Sequence, residues 1–447
     1  MNRLFGTDGV RGIAGSELTP ALAYQLGRAG AFVLSKTTAK PNILVGKDTR
    51  LSGDMLESAL VAGICSAGAT AILLGVLPTP AVAYLTRERK AAAGVVISAS
   101  HNPAAYNGIK FFSGDGYKLP DEIEDEIQSV IEKDSVPVFT GADIGRIMYD
   151  EEAKKAYATY ACQTISCRLD GMRLCVDCAN GANSRIAPDA LRSLGADVTA
   201  IHDTPDGLNI NLDCGSTHLS SLSEHVKKGD FDLGIAFDGD ADRVLFTDEN
   251  GAVIDGDQVM AICAIAMQKA GTLSNSTLVA TIMSNLGLTL ACKAEGIHVL
   301  QTSVGDRYVL EAMRKGGHCI GGEQSGHIIF ANHATTGDGL ISALQFLQII
   351  KNSSQPVSSL AKTMTVLPQV LCNAHVSNTK KNLYKEDPVI QREISRIEAL
   401  MEGTGRVVIR PSGTEPSVRV MIEGTDIALL EKEAKALAAL IASRMCD

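Results

Sequence analysis

From residue 20 to about residue 350, short apolar runs rich in Val, Ile and Leu alternate with stretches whose apolar residues recur at helical spacing. Ile43–Val45, Gly94–Ile97, Leu233–Phe237 and Leu278–Ile282 are such runs. Runs this short and this apolar predict strands buried on both faces, and strands separated by helices predict βαβ units with largely parallel sheets. Ligand-binding groups are then expected in loops at the carboxyl ends of the strands. Leu60 to Leu77 carries no charge over 18 positions, near the lower limit for a membrane span. Met55, Leu56, Leu60 and Ile64 keep helical spacing, Ser66, Gly68 and Thr70 interrupt the run, and Ala71–Leu74 reads as a strand. A buried helix–turn–strand unit is predicted there.

The pattern falls into blocks. Three consecutive α/β domains with mixed, largely parallel sheets are expected over 1–152, 153–252 and 253–355. A smaller C-terminal α+β domain is expected over 366–447, with amphipathic helices at Pro388–Met401 and Ala428–Met445. The acidic helix Asp121–Lys133 closes the first block, and its charges read as a solvated face. Asp248-Glu-Asn-Gly251 marks a turn near the end of the second. The third closes on a helix around Leu340–Ile350, and Lys351–Pro356 reads as a polar linker.

Length and composition sharpen this. At 447 residues, 45% of them hydrophobic, the chain can bury several cores. Acidic residues exceed basic ones by 51 to 41, for a formal charge of −10. That balance argues against a nucleic acid partner and asks for a local positive pocket around any anion. The first residues lack the apolar core of a signal peptide, so a cytoplasmic protein without a membrane partner is expected. Whether it forms a homodimer is left open. The 11 cysteines are dispersed and include a single CxxC, Cys175–Cys178. With Cys175 inside an apolar strand pattern and no second CxxC, buried free thiols are expected rather than a zinc site.

The sharpest chemical signal is Asp238-Gly-Asp240-Ala-Asp242-Arg243, directly after the strand Leu233–Phe237. Carboxylates ~4 Å apart repel by roughly 4 kcal/mol per pair at an effective dielectric near 20. A hard divalent cation is their natural counter-charge, and with only three carboxylates it keeps positions open, as Mg²⁺ does when it engages a phosphate. The same spacing begins an EF-hand, but position 6 is Arg243 instead of Gly and a strand, not a helix, follows, so a calcium hand is rejected. Arg243 offers a fork for phosphoryl oxygens.

A second signal is Gly94-Val-Val-Ile-Ser-Ala-Ser100-His-Asn-Pro103, a buried strand running into a loop that exposes the Ser100 hydroxyl. No Gly-x-Ser-x-Gly elbow is present, which argues against an acyl-transfer hydrolase. Beside a cation, Ser100 becomes a phosphoryl carrier, whereas Ser98, a strand residue, is expected to point away or pack. Four further loops are suited to anions or sugar hydroxyls: Phe5–Gly12 with Arg11, Gly46-Lys-Asp-Thr-Arg50, Gly321–His327 with Glu323, Ser325 and His327, and Arg410-Pro-Ser412-Gly413-Thr414-Glu-Pro416 with Arg419.

Together, Phe5–Gly12, Ser98–Pro103, Asp238–Arg243, Gly322–His327 and Arg410–Pro416 resemble, in order and over the whole chain, the motifs of the α-D-phosphohexomutase superfamily. Asn107-Gly-Ile-Lys-Phe-Phe112 and Thr302–Tyr308 are similar to its bacterial phosphoglucosamine branch. The resemblance implies four domains around a central cleft and a phosphoserine at Ser100. It implies Mg²⁺, one per subunit, held by Asp238, Asp240, Asp242 and the Ser100 phosphate. Lys110 matches the proton-transfer lysine, with Arg11, Arg243 and His101 beside it. Glu323, Ser325 and His327 match the sugar-reading loop, and Arg410, Ser412, Gly413, Thr414 and Arg419 match the clamp for the non-transferring phosphate. The implied reaction is an isomerisation between glucosamine 6-phosphate and glucosamine 1-phosphate through a 1,6-bisphosphate. That bisphosphate, or another phosphoryl donor, would prime Ser100. Such a step belongs to amino-sugar metabolism and supplies cell-wall precursors. A glucose- or mannose-phosphate mutase of the same superfamily is the alternative.

Overall fold

The computed structural model describes residues 3–6, 8–35, 40–412 and 416–446. Four sheets follow one another along the chain. In the first, Asn42–Lys47 pairs in parallel with Thr70–Val76 and Ala93–Ile97, and Thr70–Val76 pairs in parallel with Ile147–Tyr149. Tyr106–Ser113 and then Val10–Ile13 add on antiparallel at the other edge. In the second sheet, Arg173–Asp177 lies in parallel between Asp197–Ile201 and Leu233–Phe237, and Val244–Thr247 folds back antiparallel on the latter. The third has Thr277–Thr281 in parallel with His298–Thr302 and Ile320–Gly322, with Ile328–Phe330 closing a hairpin. The last, Gln369–His375, Ser417–Gly424 and Gly405–Pro411, is wholly antiparallel and packs against Pro388–Leu400 and Ile427–Met445.

The apolar run Leu60–Leu77 forms the end of the helix Ser52–Ser66, a turn at Gly68 with φ +80°, and the strand Thr70–Val76. Among the described residues, no helix is long and apolar enough to cross a membrane. All 11 cysteines are free, and burial pushes the Cys175 thiol up to about 12.

Two expectations need correction. Lys351–Pro356 is a polar linker only from Ser354 onward, because the helix Gly339–Ser353 runs through its first half. Buried Ile350 and Lys351, which donates to the Asp170 carbonyl at 2.6 Å, hold that extra turn down until Ser354 ends it in the left-handed region. The acidic helix Asp121–Lys133 is not merely solvated either. Its first turn pairs with Arg3, and Asp121 also reaches Arg307 of the third block. Carboxylates are favoured at a helix N-terminus, and here they also take cations from elsewhere in the chain.

One apolar core runs through the first three blocks, from Leu44 and Leu77 by way of Tyr157, Phe237 and Phe246 to Phe346 and Met364. The C-terminal unit has its own core, around Ile390, Val420, Leu437 and Ile441. Its joint with the third block is polar. Fully buried Glu423 accepts from the Leu286 N–H at 2.7 Å and pairs with Arg406 at 2.7 Å.

Within the first block, the helices Pro20–Leu34 and Ser52–Ser66 cross at glycines. A Cβ on Gly27 would lie 2.2 Å from the Leu60 carbonyl oxygen, and one on Gly63 would lie 2.1 Å from that of Tyr24. Gly27→Ala should therefore destabilise the protein by about 1–3 kcal/mol through overpacking, outweighing the roughly 1 kcal/mol helix-propensity gain. Urea unfolding followed by far-ultraviolet circular dichroism measures the net effect.

Candidate active site

Ser100 lies in a turn three residues past the fully buried strand Ala93–Ile97, and Asn102-Pro103 leads the chain back into Tyr106–Ser113. Its Oγ donates to Asp238 Oδ2 at 2.6 Å across 138 positions of sequence. Asp238, Asp240 and Asp242 occupy the connection between the antiparallel strands Leu233–Phe237 and Val244–Thr247, a hairpin and not an EF-hand. All three are buried, with one oxygen of each within 4.8 Å of the others.

This arrangement is electrostatically costly unless it is compensated. Burial, followed by the charges of Asp242 and Asp240, pushes the Asp238 carboxyl well above its usual range. Asp240 goes the other way. Despite burial, the Lys110 ammonium at 2.9 Å and the Thr79 hydroxyl at 2.6 Å hold its carboxyl low. Asp240 Oδ1 and Asp242 Oδ1 are buried without a hydrogen-bond partner. A trio of desolvated carboxylates with two orphaned oxygens suits a hard cation, and the residues present fit one.

Around the trio lies a lattice of alternating charge. Lys110 bridges Asp240 and Asp8, the latter at 3.0 Å, and Arg11 also pairs with Asp8. Lys118 pairs with Asp8 at 2.6 Å and with Asp306 of the third block. His327 completes the circuit, with Nδ1 3.6 Å from Asp242 and Nε2 3.6 Å from Asp306. Despite burial, the Asp242 and Asp306 carboxylates raise its pKa. Arg243 lies along Asp242 at 3.9 Å, and its backbone N–H donates to Asp238. His101 is half-buried, and burial followed by the charges of Arg243 and Arg11 lowers its pKa, favouring neutral imidazole. Glu323 accepts from the Gly305 N–H at 3.0 Å, and Ser325 follows it, half-buried, in the same hairpin loop.

The structure thus gathers Ser100, the three aspartates, Lys110, Arg11, Arg243 and His327 into one network. Arg410 and Arg419 face each other across the strands Gly405–Pro411 and Ser417–Gly424 of the last sheet. Burial and the nearby Arg419 charge lower the Arg410 pKa, as expected of adjacent cations suited to an anion. Ser412 follows on the same loop, and Lys381 donates to its carbonyl at 3.1 Å. Gly413 and Thr414 lie outside the described residues.

One predicted anion loop fails. Asp48 and Arg50 of Gly46–Arg50 have fully buried side chains that pair with each other, so neither faces a ligand. Sequence reading also passed over Asp8, Lys118, Asp306 and Thr79. Asp8 lies inside the Phe5–Gly12 motif, but the partners that give it meaning are about 100 residues or more away. A second trio, Asp177, His202 and Cys214, lies within 4.8 Å. There the Asp177 carboxylate already accepts from the Ala179 and Gly215 N–H groups, and burial keeps Cys214 a thiol.

Four family models match in chain order. They are described as phosphoglucomutase/phosphomannomutase alpha/beta/alpha domains I, II and III, over residues 2–137, 154–251 and 255–367, and the C-terminal domain, over 371–440. The chain belongs to the phosphoglucomutase/phosphomannomutase family. Among its curated relatives, the phosphoglucosamine mutase of Clostridium botulinum (strain Eklund 17B / Type B) is 58% identical over 447 residues, covering all of both chains. That of Clostridium acetobutylicum is 57% identical over 443 residues, or 99% of each chain. The family fold is also shared with a solved Burkholderia thailandensis phosphoglucomutase/phosphomannomutase family protein, at a TM-score of 0.85, 22% identity and coverage of 100% and 99%. Aspergillus fumigatus N-acetylphosphoglucosamine mutase, solved in complex with GlcNAc-6P and magnesium, gives a TM-score of 0.72 at 18% identity, covering 99% and 96%.

The carboxylate trio carries its own test. Mg²⁺ at a hundredfold excess over its Kd should stabilise the sugar-free protein by about 2.7 kcal/mol, seen as a rise in Tm. Asp238→Asn should abolish that rise without lowering the metal-free Tm, because it relieves like-charge repulsion.

Proposed function

We propose that this isomerase interconverts glucosamine 6-phosphate and glucosamine 1-phosphate through a phosphoserine at Ser100. The observation that carries the reading is the Ser100 hydroxyl held 2.6 Å from a buried carboxylate trio, in a chain 58% identical over its full length to a phosphoglucosamine mutase. Phosphoserine carries a charge of about −1.5 to −2. Asp238, Asp240 and Asp242 hold Mg²⁺, one per subunit, together with that phosphate. When bound, the ion supplies counter-charge to the carboxylates and the phosphoryl oxygens.

In the first half-reaction, O1 of glucosamine 6-phosphate attacks the phosphorus, the P–Oγ bond of Ser100 breaks, and glucosamine 1,6-bisphosphate forms. The bisphosphate turns over in the cleft. Ser100 Oγ then attacks the 6-phosphoryl phosphorus, the P–O6 bond breaks, and glucosamine 1-phosphate leaves. Lys110, whose ammonium form is favoured by Asp240 and Asp8, gives a proton to the leaving oxygen and regains one from the attacking hydroxyl. Arg243 and Arg11 supply fixed positive charge for the equatorial oxygens. Glu323 and Ser325 read the sugar hydroxyls, with His327 beside them. His101, neutral at the rim, orients the loop of the nucleophile. Arg410, Ser412, Gly413, Thr414 and Arg419 grip whichever phosphate is not reacting, so one site serves both orientations. The bisphosphate, or another phosphoryl donor, primes Ser100. The 11 free thiols suit a reducing cytoplasm.

Ser100→Ala should abolish interconversion, and intact-mass analysis should find one phosphoryl group at residue 100 of the parent and none in the variant. Normal turnover by the variant would refute the mechanism. In a panel of glucosamine, glucose and mannose 6-phosphates, the amino sugar should give the highest kcat/KM. Arg410→Ala should raise KM for every member of that panel, because the neighbouring cations it separates hold a phosphate all the substrates share.

A further inference from the structure

Ser100 adopts φ +51°, a left-handed backbone that residues with a side chain rarely hold unless their surroundings fix it. Here both of its peptide groups are fixed. Its N–H donates to Ser98 Oγ at 2.9 Å. Its carbonyl accepts from Arg50 Nη2 at 3.2 Å and from Asn211 Nδ2 at 2.9 Å, and the same two donors also serve the Asn102 carbonyl. The Ser98 hydroxyl can accept from Ser100 because its own hydrogen is given to Asp48 at 2.5 Å. Asp48 also accepts from the Arg50 N–H at 2.9 Å and pairs with the Arg50 guanidinium, so the carboxylate orients both arms of the grip.

The second domain closes the arrangement. Asn211, itself at φ +59°, reaches over from it, and Gly239 in the middle of the acidic loop packs directly on the pair. A Cβ on Gly239 would lie 2.7 Å from the Ser100 carbonyl oxygen and 2.8 Å from Asn211 Nδ2. Ser98, Asp48 and Arg50 are each at most 2% exposed, and Asn211 is 7% exposed, so none of them can hold a sugar phosphate. A buried ion pair contributes little to stability compared with an apolar pair of the same volume. Its place here is explained by what its remaining donors and acceptor hold.

We infer that Asp48, Arg50, Ser98 and Asn211 are positioning residues that clamp the backbone of Ser100 and thereby set the line along which its oxygen meets the phosphorus. The inference rests on the reading of Ser100 as the phosphoryl carrier. The clamp reaches the chemistry only through the backbone of the nucleophile. Losing an arm therefore slows the transfer steps and leaves sugar binding intact.

The test compares Ser98→Ala, Asn211→Ala and the double variant with the parent. Phosphoserine occupancy is read by intact mass, folding by thermal melting, and kcat and KM are calculated per phosphorylated enzyme. Each folded single variant should lose about 10- to 100-fold in kcat with KM unchanged, the size expected for a misplaced reacting group. The double variant should lose no less. Should Ser98→Ala melt below the assay temperature, Asn211→Ala carries the test from the second domain. A kcat per phosphorylated enzyme equal to the parent's, or a loss that only tracks the unfolded fraction, overturns the clamp. Ser100→Ala assayed alongside separates the two readings. If it stays active the phosphoserine mechanism fails, whereas an inactive Ser100→Ala beside fully active clamp variants removes the clamp alone.

Discussion

Three carboxylates that would rather be apart are buried together at the junction of the first two domains, and much of the central architecture answers that repulsion. Lys110 comes from one strand of the first sheet, Arg243 from the acidic hairpin, and His327 from the third domain. Asp8 and Asp306 in turn hold Lys110, Lys118 and Arg11 in place. Around the trio, opposite charges meet in turn: Lys110 lies between Asp240 and Asp8, Lys118 between Asp8 and Asp306, and His327 between Asp306 and Asp242. The pattern has more than a structural use. On the proposed reading of Ser100 as the phosphoryl carrier, a phosphoryl group there would sit in a field already arranged for negative charge on its equatorial oxygens, with little reorganisation left for the moment of transfer.

The features that could be read along the chain share a physical trait: each is local. The strands Ala93–Ile97 and Leu233–Phe237 are continuous apolar runs, and the groups that matter follow within a few residues of their ends. The acidic trio is conspicuous because like charges at alternate positions have no local purpose. Lys118, Asp306 and Thr79 were not conspicuous. A lysine in a turn, an aspartate opening a helix and a threonine after a proline are common in any α/β chain. Their role depends on pairings between residues from about 110 to nearly 190 positions apart. Gly46–Arg50 misled for the opposite reason. Its composition fits an anion loop, but whether an arginine faces a ligand or a carbonyl is decided by tertiary packing, and here Arg50 is turned inward.

Glycines carry a similar lesson. Gly239 interrupts the aspartates where a side chain would strike the Ser100 carbonyl, and Gly27 and Gly63 let two helices of the first domain touch backbone to backbone. Sequence marks such positions only as breaks in a pattern. In the fold they are points of closest approach, and the distance between Ser100 and Asp238 depends on one of them.

The continuous apolar core through the first three domains, set against the separate core of the fourth, has a consequence for how the chain can be divided. A cut near residue 152 would expose faces on both fragments that are built to cover each other, the stacked rings of Tyr84 and Tyr160 among them. A cut near residue 366 would separate a pair of bodies joined chiefly by polar contacts around Glu423, each keeping its interior. The chain is therefore a tripartite block with a detachable cap. The cap's adjacent arginines thus belong to a body whose interior is separate from the core that carries Ser100.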